Sequence, residues 1–434
     1  MGFESIAEVR VDPGSAYVYE EGWQSWSPAG VYRASATSPR PPDRRAHTMG
    51  WRPEKVLPRS GFQGEGVLAV AAEGEPVRIW HSPEPGREVA SIRVEARTSR
   101  LLVSADGPVL ELGFEGNLQE ALAALGERLA PGEIGSIPPG WCSWSCYFRD
   151  VTEAAILENL DAAARLELPV KIVQVDDGYE SGIGDWLADD PRFGSLRRTA
   201  ERIRAAGKVP GVWTAPFLVG ERSALAAEHP EWLVAGADAG WNWDQRLLAL
   251  DVTDPGAAAH LREAYATLAA WGFGYHKLDF LYAGALEGPR HGDCSALDAY
   301  REGVRLVREG AGSEAILLGC GAPLLPSIGL VDAMRIGPDV LPEPSGDPPV
   351  GAEPDLGEVI ARTRARTWTH GRLWVADPDC LVARPEIAER EAWAAHVEAF
   401  GGLAFSGDRL AALDDRGLEL TRRVLRPSST TPPA

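Results

Sequence analysis

Beyond residue 138, short apolar runs and amphipathic stretches alternate along the chain. Runs at 140–143, 170–175, 209–214, 274–278, 315–319, 333–336, 373–376 and 403–405 predict strands. Between most of them, apolar positions recur every three to four residues, which predicts helices over 152–168, 195–206, 255–271, 296–310, 356–370 and 385–400. Segment 322–329 holds two prolines, so the fifth strand is expected to lead only into a short or irregular helix. Strand–helix alternation over roughly 290 residues predicts an α/β fold of the (β/α)8 TIM-barrel type. A doubly wound open sheet is the rival, but no GxGxxG follows any strand.

The first part of the chain has a different rhythm. Runs at 15–19, 66–70, 76–80, 90–94 and 101–103, separated by Pro, Gly and Asp clusters, predict short strands and turns. A small N-terminal β-rich domain is therefore expected over 1–115. Asn117 opens a helical pattern in a linker over 116–137, and Pro138-Pro139-Gly140 marks the boundary of a barrel expected over 138–425. The Pro, Ser and Thr of 426–434 predict a disordered tail.

Composition narrows the partners. The 434 residues carry a net charge of −20, which disfavours nucleic acid and anionic membrane surfaces. The first residues lack a basic and apolar leader, and no run approaches a membrane span. Five Cys follow no disulfide-framework spacing, and a cytoplasmic location is the default expectation. The eight His are scattered, without HxxxH or Cys/His clustering, so neither a metal site nor a cofactor is expected. A homo-oligomer stays open. Fifteen Trp against ten Phe is an excess that suits flat sugar rings, although most Trp residues serve as packing.

In a barrel, function gathers where strands give way to loops on the C-terminal face. Those positions hold Trp141 and Trp144, Asp176-Asp177-Gly178, Trp213, Lys277 and Asp279, Cys320, Arg335 and Asp339, and Asp377-Pro378-Asp379-Cys380. Asp279 and Asp339 each close a predicted strand, and paired carboxylates can divide nucleophile and acid/base work across a glycosidic bond. Lys277 lies two residues before Asp279, so both side chains point the same way. The chain uses only four Lys, at 55, 171, 208 and 277, so a lysine there suggests a point charge that binds a hydroxyl and holds Asp279 ionised. A structural ion pair is the alternative. Asp176-Asp177-Gly178 reads either as ordinary turn chemistry or as carboxylates accepting sugar hydroxyls.

At these residues the chain resembles glycoside hydrolase family 36, the retaining α-galactosidase (melibiase) family. The matching segments include Gly140-Trp-Cys-Ser-Trp, Val175-Asp-Asp-Gly-Tyr, Gly184-Asp-Trp, Gly211-Val-Trp-Thr-Ala-Pro-Phe, Tyr275-His-Lys-Leu-Asp-Phe, Met334-Arg-Ile-Gly-Pro-Asp and Asp377-Pro-Asp-Cys, in the family's order. The resemblance implies Asp279 as nucleophile and Asp339 as general acid/base, with Asp176 and Asp177 near the galactose O4 and O6 hydroxyls. It also implies Lys277, Cys320 and Arg335 around the other hydroxyls and Trp141, Trp186 and Trp213 as apolar walls. The substrates it implies are small or oligosaccharide α-galactosides, cleaved by double displacement with carboxyl groups about 5–5.5 Å apart. Glu21-Gly-Trp-Gln-Ser-Trp-Ser is similar to a segment that reaches the site in some relatives, and a buried turn is the alternative. Two departures from the family stand out: the β-rich N-terminal domain is short, and no C-terminal β-domain is expected. α-N-Acetylgalactosaminidase or transglycosylase activity within the family, or a catalytically silent sugar-binding scaffold, are the competing readings.

Overall fold

The computed structural model describes residues 2–341 and 356–426; the expected tail lies almost wholly outside them. At its centre are eight parallel strands: β1 (Gly140–Cys142), β2 (Ile172–Val175), β3 (Val209–Thr214), β4 (Tyr275–Leu278), β5 (Ile316–Gly319), β6 (Ala333–Arg335), β7 (Val375–Asp377) and β8 (Phe405–Ser406). Neighbours follow chain order from β1 to β7, and β8 pairs in parallel with β1. Between β7 and β8, Leu403 N donates to Ala376 O at 2.9 Å and Leu381 N to Phe405 O at 2.7 Å, which completes the circuit. The fold is the (β/α)8 barrel that the alternation predicts.

Helices Glu153–Arg165, Leu196–Ala205, Pro255–Trp271 and Ala296–Ala311 follow β1 to β4. Each opens on a residue whose side chain accepts a backbone N–H of the first turn: Thr152, Ser195, Asp254 and Ser295. After β5 there is only the short 3₁₀ turn Leu325–Ser327, as the two prolines of that segment require. The helix predicted at 385–400 begins at Arg390, because a turn in which Ile387 N donates to Arg384 O (3.1 Å) comes first. Helix Asp415–Val424, which the sequence pattern did not mark, follows β8.

Strand alternation sets what fills the barrel. Ile172, Tyr275, Leu318, Ala333, Val375 and Phe405 form an apolar plug with Cys142. Two residues further along the same strands come Gln174, Lys277, Cys320, Arg335 and Asp377, all buried. The inward-facing positions therefore change from apolar to polar along each strand, and the polar layer opens toward the C-terminal face.

The N-terminal region is a sandwich of two antiparallel sheets. One contains Glu4–Val9, Arg100–Ala105, Ser91–Arg97 and Phe62–Glu65; the other contains Gly30–Arg33, Tyr17–Glu20, Val67–Ala71, Val77–His81 and Leu110–Phe114. Strand Val67–Ala71 is apolar at every position because both its faces are covered. Leu68 and Val70 pack against the first sheet with Trp80, Ile92 and Val103, whereas Val67 and Ala69 join the cluster that continues into the barrel. Helix Leu118–Leu129 joins that second cluster through Ala121, Leu122 and Leu125 and starts from a full capping box between Asn117 and Glu120.

Candidate active site

A cavity opens on the C-terminal face of the barrel. Asp176, Asp177, Trp213, Lys277, Asp279 and Asp339 line it, together with Trp26, Arg45, Met49, Trp144, Asn242, Trp243, Phe280 and Pro338.

Asp279 sits one residue beyond β4, on the face where Tyr275 and Lys277 point inward. Its Oδ2 accepts the indole N–H of Trp213 at 2.9 Å, and its Oδ1 accepts Phe280 N at 2.9 Å. Phe280 has φ +50, an uncommon conformation for a bulky residue, and it turns the chain sharply just after the carboxylate. Lys277 Nζ lies 3.1 Å from Asp176 Oδ2 and 3.7 Å from Asp279 Oδ2, bridging the two acids. Burial works against the ammonium, but the charges of Asp176 and Asp279 outweigh it and raise Lys277 well above its ordinary value. Gln174 and Cys142 also donate to Asp176 Oδ2.

Asp339 lies on the loop beyond β6. Its Oδ1 accepts Arg335 Nη1 at 2.8 Å and its Oδ2 accepts the Trp144 indole N–H at 2.9 Å. Arg335 is buried beneath the cavity and binds Asp377 and Asp379 as well. Asp177 is fixed by the Trp243 indole, whose N–H donates to Oδ2 at 2.9 Å, and by a hydrogen bond with the Glu180 side chain. Burial pushes Asp177 up to about 6, and burial with the Asp177 charge pushes Glu180 well above the carboxylate range. Burial and mutual repulsion therefore drive the pair toward holding a proton.

The N-terminal sandwich supplies part of the wall. Trp23, Gln24 and Ser25 form a buried turn, and Trp26 reaches into the cavity, edge-on to Phe280 at 5.0 Å. The segment is thus both a buried turn and part of the site. Ser25 N donates to Ala322 O at 3.1 Å, and Gln24 bridges to Pro323 on the loop after β5. Helix Arg44–Gly50, capped by Asp43, brings Arg45 and Met49.

Four sequence candidates stand outside the cavity lining. Trp141 is buried and its indole N–H donates to Asp408 O at 2.7 Å. Trp186 packs edge-on against Trp213 at 5.7 Å, so it supports that wall from behind. Cys320 and Arg335 are buried in the polar layer below. Trp243, absent from the sequence candidates, sits at the tip of the hairpin between Trp241–Asn242 and Gln245–Ala249. Both it and Asp244 have positive φ (50 and 54), the geometry of a type I′ turn, but without the Asn-Gly or Asp-Gly pair that announces one. Among the described residues no group of three or more His, Cys, Asp or Glu is placed to hold a metal ion. No described helix is long and apolar enough to cross a membrane.

A (β/α)8 barrel with acids, indoles and a buried lysine converging on the C-terminal face is the frame of a glycoside hydrolase. Residues 140–281 match the Melibiase family model. Over 100 residues the chain is 30% identical to the bifunctional alpha-galactosidase/sucrose kinase AgaSK of Mediterraneibacter gnavus, covering 21% of this chain and 10% of that protein. Over 172 residues it is 27% identical to the A type blood alpha-D-galactosamine galactosaminidase of Flavonifractor plautii, covering 36% and 16%. These matches span only a small part of each curated relative. The structure of TtGalA, an alpha-galactosidase from Thermus thermophilus in complex with stachyose, is similar over 98% of this chain and 94% of that one, with 29% identity and a TM-score of 0.83. Over residues 140–281 the chain is similar to the melibiase, or α-galactosidase, family of glycoside hydrolases, and its fold is similar to that of TtGalA.

Proposed function

We propose that this protein hydrolyses terminal α-D-galactosides by double displacement. One observation carries the reading: Asp279 and Asp339 line the same cavity, with two further acids and several indoles around them. Asp279 attacks the anomeric carbon as the glycosidic C–O bond breaks, and the leaving oxygen takes a proton from Asp339. Asp339 then accepts a proton from water, whose oxygen attacks the same carbon and expels the Asp279 carboxylate. Two inversions return the α configuration.

Trp213 and Phe280 N orient the Asp279 carboxylate, and Lys277 supplies positive charge beside it. Asp176 and Asp177 accept sugar hydroxyls in this reading. Trp26 and Trp243 offer apolar faces to the ring or the leaving group. TtGalA, whose chain this one matches nearly end to end, has been solved with stachyose and with p-nitrophenyl alpha-D-galactopyranoside, which supports α-galactosides as the substrate class.

The test is a panel of aryl α-galactoside, α-N-acetylgalactosaminide and α-glucoside, with the first-formed product anomer followed by NMR. Galactoside cleavage releasing α-galactose first is expected. Release of β-galactose contradicts the double displacement, and preference for the N-acetylgalactosaminide moves the specificity to that sugar.

A further inference from the structure

Arg335 serves three carboxylates at once. Nη1 donates to Asp339 Oδ1 at 2.8 Å, Nε to Asp377 Oδ2 at 3.1 Å and Nη2 to Asp379 Oδ1 at 2.6 Å. Side-chain exposure falls from 24% for Asp339 to 2% for Asp379, so the deepest acid makes the shortest contact. One cation among three acids, two of them buried, leaves an excess of negative charge, which a proton relieves.

Asp379 also fixes the backbone beside Asp339. Its Oδ2 accepts Val340 N at 2.7 Å, and its Oδ1 accepts Cys380 N. Its own N–H donates to Asp377 Oδ1 at 2.9 Å. Asp379 has φ +100, a conformation that a residue with a Cβ rarely adopts. That kink aims its carboxylate between the guanidinium and the loop that holds Asp339. Asp379 does not line the cavity, so it can act on substrate only through these partners.

We propose that Asp379 is a positioning residue that sets the proton affinity of Asp339, by competing for the Arg335 charge and by anchoring Val340. The proposal rests on Asp339 being the acid/base. Burial first, and then the charges of Asp339 and Asp377, push Asp379 up to about 6 against the pull of Arg335, so Asp379 is itself poised to share the cluster's proton. The other groups facing the cluster are the Trp144 indole on Asp339, the buried Tyr275 hydroxyl near Asp377, and the buried thiols of Cys320, beside Arg335 and Asp339, and Cys380, beside Asp377 and Asp379.

Neutralising Asp379 removes a like charge near Asp339 and leaves Arg335 to fewer partners. Both effects favour the Asp339 anion. Because both carboxylates draw on the same guanidinium, the Asp379→Asn variant should lose its acid at lower pH, by about one unit.

The experiment measures kcat/KM against pH for the full chain, its D379N, D377N and D339N variants, on an α-galactosyl disaccharide and on p-nitrophenyl α-D-galactopyranoside. For D379N the alkaline limb on the disaccharide should move down by about one unit, a roughly tenfold loss above the limb. The aryl galactoside, whose leaving group needs little protonation, should lose far less. A folded D379N with the wild-type limb overturns the proposal. If D379N does not fold, D377N, which draws on the same guanidinium, decides by the same criterion. D339N separates the two levels: losses equal for both leaving groups refute the acid/base assignment and the proposal with it. Selective loss on the disaccharide beside an unmoved D379N limb refutes only the proposal.

Discussion

Arg366 ties the N-terminal turn to the barrel, and replacing it with Met tests whether that tie shapes the site. Its guanidinium is wholly buried. Nε pairs with Glu21 Oε1 at 2.8 Å, and Nη1 donates to Ser25 O at 2.8 Å and Ile336 O at 2.9 Å. Nη2 donates to Ser27 O at 3.0 Å and Gln24 O at 3.4 Å. One side chain therefore links the turn that presents Trp26 to the end of the strand leading to Asp339. Arg366→Met keeps the stem but strands the Glu21 carboxylate, which is left with Tyr19 Oη and Gly22 N as donors. Breaking such a buried pair costs about 3–5 kcal/mol. The four carbonyls that lose a donor each cost up to about 1–3 kcal/mol more, offset by whatever water enters. Taking about 4 kcal/mol against a total of about 5–15, R366M should lose a large share of its stability. Urea unfolding followed by Trp fluorescence reads this, with KM for an α-galactoside measured on the folded fraction. R366M combined with Glu21→Gln should recover part of the loss, because the stranded charge is gone. Stability within about 1 kcal/mol of wild type together with an unchanged KM would refute the reasoning.

Two further outcomes follow from the same geometry. Trp26→Ala removes an aromatic wall held edge-on to Phe280 and Tyr282, at 5.0 and 6.2 Å, and should raise KM about tenfold, equivalent to about 1.4 kcal/mol; steady-state kinetics with KM and kcat both unchanged would assign Trp26 to packing alone. The Asp177–Glu180 pair gives a pH signature in stability. Both carboxyls have folded values above their ordinary 3.8 and 4.5, so the folded state binds more protons there and stability falls as pH rises from about 4 through 6 and beyond. Glu180→Gln removes its share of that fall, so its thermal midpoint should gain on wild type as pH rises, and parallel midpoint curves would count against a shared proton.

The barrel was legible in sequence because its period is strong. Strand Val209–Thr214 and helix Pro255–Trp271 match their predicted bounds, since a buried run and an Asp-Pro start leave little latitude. Helix Asp415–Val424 escaped notice because half of it is charged and its buried apolar stripe is only Leu420 and Val424. Strand Gly30–Arg33, with its alternating half-exposed positions, is too short and too polar to announce itself. At the site, the acids at strand ends were visible because inward alternation follows directly from the strand period. Trp26 was signalled only by the likeness of its segment, Glu21 to Ser27, to one that reaches the site in some relatives, whereas Arg45, Met49 and Trp243 reach the cavity by tertiary contact that hydrophobic periodicity does not encode. The Asp43 cap before helix Arg44–Gly50 was the one local signal for Arg45 and Met49. Trp141 and Trp186 show the converse: a strand-end or motif position brings an indole near the site without deciding whether it faces the cavity or braces the wall behind it.

The central claim is that Asp279 forms a covalent bond to galactose. Incubation with a fluorinated α-galactosyl substrate bearing a good leaving group, whose glycosyl ester turns over slowly, followed by peptic digestion and mass spectrometry, tests it most directly. One added fluorogalactosyl group is expected on the peptide containing Asp279, absent from Asp279→Asn. A label on another carboxylate, or full turnover by Asp279→Asn, would contradict it.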